Sequence, residues 1–100
     1  MDRIEQIHNA YTYGRQQENI RARWAAKWWF ENLQRASEHA EEEATLAYVI
    51  AKNGDFAKAL EHAEKACQIE EAAYGDTTTW QPLKQAIQEV LTESRARQPV

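Results

Sequence analysis

The chain has 100 residues, 43% of them hydrophobic and 28% charged, with a net charge of −4 at neutral pH. That length fits one domain, able to bury roughly 60–65% of its unfolded surface, and the apolar content excludes disorder of the whole chain. No apolar run approaches the ~18 residues of a membrane-spanning helix, the polar start lacks the apolar centre of a secretion signal, and the lone Cys67 excludes an internal disulfide.

Alanine, glutamate, glutamine, lysine, arginine and leucine dominate, and no β-branched residues alternate with polar ones over a strand's length. An all-α fold follows. The pattern predicts a single domain of four to five helices, at about residues 2–17, 20–36, 38–53, 55–74 and 80–95, and cytoplasmic residence is the default expectation.

The first helix starts at Asp2, an N-cap, and carries a stripe of Ile4, Ile7, Tyr11 and Gly14. Gly14 either weakens this helix or admits a close neighbour. The helix is expected to stop within "YGRQQEN", with Asn19 capping the next. In the second helix, Ile20, Trp24 and Trp28 repeat at helical spacing with Ala25, Leu33 and Ala36, which reads as a buried stripe. Trp28, Trp29 and Phe30 are consecutive and span roughly 200° of the helix circumference. One face cannot hold all three, so at least one faces a second neighbour, a partner or solvent.

Ser37-Glu38 starts a third helix or is passed through by the second. Ala40, Ala44, Ala47 and Ala51 form a small-residue ridge, and Asn53-Gly54-Asp55 is a helix stop followed by a new N-cap. Phe56, Ala59, Leu60, Ala63, Ala66 and Cys67 give the next helix a small-residue face, and Gly75 ends it. Thr79 is the expected N-cap of the last helix, with Pro82 in its first turn and Leu83, Ile87 and Leu91 on its apolar stripe.

Leu46-Ala47, Ile50, Asn53-Gly54-Asp55-Phe56, Ala59-Leu60, Ala63 and Ala66 lie at matching spacings, and the stretch from about residue 43 to 75 resembles one tetratricopeptide repeat. The ending "IEEAAYGD" is similar to the kinesin light chain variety. Ile50 stands where the family usually has tyrosine, and no proline closes the unit. A second unit 34 residues earlier is at best degenerate: Ala25 fits, but Asn32 replaces a small residue. The resemblance implies a central helical hairpin and a peptide or protein ligand. One repeat cannot bury both its faces, so the other helices or a second chain must cover it.

Chemistry is sparse. Glu5 with His8 has Glu-x-x-His spacing, and His39 lies near Glu42 and Glu43, but a di-metal bundle wants four carboxylates and two histidines facing inward. Cys67, among alanines, reads as an inert core thiol. There is no phosphate loop and no zinc spacing. Neither a metal nor a cofactor is expected, and a metal-binding helical bundle is the least favoured reading.

Charge is uneven: residues 15–36 carry Arg15, Arg21, Arg23, Lys27 and Arg35 against Glu18 and Glu31, whereas residues 37–76 hold ten acids against three lysines. The favoured function is non-catalytic protein–protein interaction, by a small adaptor or regulator that pairs with a partner or with a second copy of itself. Its expected surface is Arg21, Arg23, Lys27, Trp28, Trp29 and Phe30, with an acidic face at Glu41 and Glu42. The alternative is a small phage- or plasmid-type inhibitor that blocks an enzyme or a nucleic-acid machine. Direct nucleic-acid binding is not expected from an acidic chain, and no membrane contact is expected.

Overall fold

The computed structural model describes residues 2–97, in which four α-helices and no strands occur. They are α1 (Arg3–Lys27), α2 (Glu31–Lys52), α3 (Phe56–Tyr74) and α4 (Gln81–Arg97). The all-α expectation holds, but the first two boundaries are corrected. The expected helices at 2–17 and 20–36 do not exist as such. The chain runs helical through Gly14 and Asn19, breaks at Trp28–Phe30, and then continues helical through Ser37.

Gly14 explains the first correction. A Cβ there would lie 2.2 Å from Cζ3 of Trp80, so the glycine is a docking notch for the indole and not a stop. The real stop is the turn after Lys27. Trp29 adopts φ 63°, its N–H donates to the Ala26 carbonyl at 3.2 Å, and Phe30 N–H donates to the Ala25 carbonyl at 2.8 Å. These paired bonds make a left-handed helix end, usually built on glycine. Here a tryptophan occupies the glycine position.

The α2–α3 turn obeys its local code. Gly54 takes φ 94°, and Asp55 Oδ1 accepts the Lys58 N–H at 3.1 Å to cap α3. Across this turn Ala40, Ala44, Ala47 and Ala51 pack with Ala59, Ala63 and Ala66, all fully buried. Side chains this small let the helix axes approach closely, and α2–α3 is the most extensive pairing in the molecule. Gly75, at φ 83°, ends α3.

α1 and α4 close the other side. Ile7, Tyr11, Trp80, Leu83 and Ile87 join the alanine core, and truncating Leu83 or Ile87 to alanine would cost ~2–5 kcal/mol. Tyr11 stacks on Tyr48 with ring centroids 4.5 Å apart and shares a 2.8 Å hydrogen bond with Thr45. At the start of α4, Gln81 N–H donates to the Thr77 carbonyl at 2.8 Å. Thr79, expected as the N-cap, instead lies buried in the turn before the helix. The molecule measures 54 × 23 × 20 Å, an elongated bundle with the α1–α2 turn at one end.

Candidate interaction surface

The second half of α1 inverts the expected pattern. Its buried residues are Gly14, Glu18 and Ala25, while Ile20, Trp24 and Trp28, read from sequence as a core stripe, face solvent. Trp24 is 47% exposed, Trp28 55% and Phe30 45%, and Trp29 reaches 86%. At least one of the three consecutive aromatics was expected to lie off the buried face; all three are exposed, and Trp24 joins them. The expected core role of Trp24 and Trp28 is wrong because a different set of side chains fills the interior here.

These exposed groups form one surface at the end of the molecule. Trp24 and Phe30 meet at a ring separation of 5.4 Å, and Lys27 Nζ lies 5.7 Å from the centre of the Trp28 ring. Trp29, Phe30 and Leu33 line a shallow groove of about 530 Å³ with Glu31 and Asn32. Arg23, Lys27 and Arg35, within two turns of this helix break along α1 and α2, are exposed, as is the acid Glu31. Trp29 stands in the left-handed region, which costs a non-glycine residue ~1–2 kcal/mol. An exposed, strained indole returns little of that cost to the fold.

Two expected surface groups lie elsewhere. Glu41 and Glu42 sit further along α2, where Glu41 accepts from Arg15 at 3.3 Å. With Tyr11, Glu38, Thr45 and Leu46 they border a separate open groove. Arg21 is withdrawn from the surface: its guanidinium donates to Glu70 at 2.6 Å and to Asp76 at 2.5 Å, and lies 4.7 Å from the Tyr74 ring centre.

Arg21 belongs to a polar cluster that replaces the missing apolar stripe. Glu18 and Glu70 are both fully buried, and Trp80 Nε1–H donates to Glu18 at 2.9 Å. Ser37 and Tyr74 share a 2.6 Å hydrogen bond, and Tyr74 OH also donates to the Leu33 carbonyl. Burial, then the neighbouring Glu70 carboxylate, pushes the Glu18 carboxyl up to about 8. Hydrogen bonds from Arg21 and Thr78 hold Asp76 below the usual carboxylate range. Burial works against the Arg21 charge, but Asp76 and Glu70 outweigh it and raise the pKa of Arg21. No sequence motif announces this cluster. The available signal was that Glu18 and Arg21 share a face with Gly14.

The remaining titratable candidates form no metal site, although His39 and His62 both lie against Glu43. His8 bonds to Tyr48 and His62 to Glu43, and among the described residues no three His, Cys, Asp or Glu side chains are placed to hold a metal ion. Cys67 is buried, which pushes its thiol up to about 11, away from the reactive thiolate. Among the described residues no helix is long and apolar enough to cross a membrane. Comparison with protein-family models, curated proteins and solved structures gives no match for this chain.

Proposed function

We propose that this protein is a non-catalytic protein-interaction module, and that the aromatic end of the bundle is its docking surface. The observation that carries this reading is Trp29, an almost fully exposed indole held in a backbone conformation that disfavours it. Strained residues of this kind mark functional positions when the structure around them holds them in place. Here the helix stop itself holds it, projecting Trp29 outward with Trp28 and Phe30 on either side.

Contiguous exposed aromatics fringed by arginine and lysine match the composition of interface anchors. The docking set is therefore Ile20, Arg23, Trp24, Lys27, Trp28, Trp29, Phe30 and Arg35. Arg21 leaves the set because its charge is consumed inside the protein. The partner is a protein with an apolar pocket and an acidic rim. The repeat-like α2–α3 hairpin acts as the rigid support and not as the groove.

The test compares wild type, Trp29→Ala and Arg23→Glu as baits for cross-linked partners, with light scattering on the same samples to detect self-pairing. Trp29→Ala should weaken the captured complex by at least about 30-fold, as expected for an anchor worth ~2 kcal/mol or more. If neither variant alters any complex or self-pairing, the docking surface is wrongly placed.

A further inference from the structure

Two exposed apolar patches of this chain carry opposite charge. The first is the aromatic end, where Trp24, Trp28, Trp29 and Phe30 are exposed, with the exposed cations Arg23, Lys27 and Arg35 close by along α1 and α2. The second is the open groove between α1 and α2, a space of about 800 Å³ whose walls include Tyr11, Thr45 and Leu46. Leu46 is 46% exposed, and Val49, one turn further along α2, is 49% exposed. Among the described residues these are the large hydrophobic side chains that stand exposed outside α1 and the turn that ends it. Contiguous apolar surface of this kind marks a contact site.

The rim of the groove is acidic. Glu38, Glu41 and Glu42 border it against one cation, Arg15, whose charge is taken up by Glu41 at 3.3 Å. Glu38 and Glu42 are exposed, and among the described residues neither has an ion-pair partner. An apolar wall with an acidic rim is what the aromatic, cationic end requires of its partner.

Charge decides among the ways in which two copies can meet. End against end sets Arg23, Lys27 and Arg35 opposite their own counterparts, and groove against groove does the same with Glu38 and Glu42. Like charges facing each other across an interface disfavour both. End against groove joins opposite charges and covers apolar surface on both sides. The two surfaces cannot meet within one chain. Leu46 lies about 15 residues along α2 from Glu31, roughly 22 Å at the helical rise, and the continuous helix holds that separation.

We propose that the Leu46 groove receives the aromatic end of a second copy of this chain, so that the protein assembles end to groove. This rests on the docking role of the aromatic end and names its partner. The indoles cover Leu46 and Val49, and the cations of the end meet the unpaired carboxylates of the rim. Different surfaces of the two copies meet in this contact. A chain with a damaged end therefore still offers a groove, and a chain with a damaged groove still offers an end.

The test is sedimentation velocity on the full chain, from about 10 µM to 1 mM protein and at about 50 and 500 mM salt, with Trp29→Ala and Leu46→Lys run alone and mixed. The wild type should exceed the 11.6 kDa of one chain as its concentration rises, and high salt should weaken its association several-fold. Each variant alone should associate at least about 30-fold more weakly. Mixed, the two should form a one-to-one pair, one supplying the groove and the other the end. Both changes fall on exposed side chains, and circular dichroism checks that both variants are folded. A wild type that stays monomeric up to the highest concentration, a mixture that forms no pair, or a Leu46→Lys protein that associates as the wild type does would overturn the inference. Failure of the docking reading looks different. If the wild type is monomeric yet Trp29→Ala loses a cross-linked partner, the end docks a different protein. If Trp29→Ala changes neither self-association nor capture, the docking surface itself has failed.

Discussion

At the scale of single residues, two positions decide how the chain is read. Gly14 looks like a helix breaker and Trp29 looks like an ordinary helical residue, and each does the other's job. Gly14 sits inside α1, because Trp80 needs the space of its absent side chain. Trp29 sits at the left-handed helix stop where glycine is the usual choice. Neither fact is visible locally, because the reason for Gly14 lies at Trp80 and nothing in "KWWFEN" signals a positive φ. Trp29→Gly should therefore raise stability by ~1 kcal/mol, by relieving the left-handed strain. The same change should remove the proposed docking anchor. Chemical denaturation checks the first effect, and a less stable Trp29→Gly protein would show that the indole supports the fold instead.

At the scale of helices, legibility followed locality. The α2–α3 turn and the helix faces beside it could be read because their signals are adjacent: an alanine ridge, Asn53-Gly54, the Asp55 cap and a second alanine ridge; the start of α2 at Glu31 could not. α1 could not be read past Gly14. Its interior face there is Glu18, Arg21 and Ala25, while its tryptophans point outward, and hydrophobic periodicity finds the aromatic stripe whichever way it faces. That polar face has a pH signature. Glu18 is held near 8 in the folded protein against an ordinary 4.5. The folded state thus keeps a proton that the unfolded chain gives up. Stability from this group is full below pH 4.5, falls as pH rises toward 8, and then levels off, by up to ~1.4 kcal/mol per pH unit in between. Asp76, held low, acts oppositely and only at more acid pH, below its ordinary 3.8. Thermal melts from pH 5 to 8 should show the decline, and Glu18→Gln should flatten it. A wild-type melting temperature that stays constant over this range would contradict a protonated Glu18.

At the scale of the whole molecule, charge and apolar surface are segregated. The exposed aromatics share one end with Arg23, Lys27 and Arg35, while acids crowd the middle of α2 and α3 in a chain of net charge −4. The sequence showed the basic and acidic halves but not the polarity of the shape, which depends on where α1 ends. An acidic partner approaching the aromatic end meets a local positive field despite the negative total. Association should slow by several-fold between 50 and 300 mM salt, through the on-rate, and Arg23→Glu should reduce that salt dependence. Stopped-flow mixing of the captured complex measures both, and a salt-independent on-rate would limit the surface to apolar anchoring.

The seat of Trp80 also sets an order of assembly. α2 and α3 can pair through contacts close in sequence, which form quickly. The notch at Gly14 and the carboxyl of Glu18 must wait for an indole that lies 62 residues beyond Glu18. Until it arrives, the inner face of α1 has a glycine gap and an unmatched acid where a neighbour should be, and α1 is held only along α2, through Tyr11, Tyr48 and Thr45. The hairpin is then expected to form first, and the meeting of the first and last helices to come late. A single indole serves as the latch that converts a helical hairpin into a closed bundle.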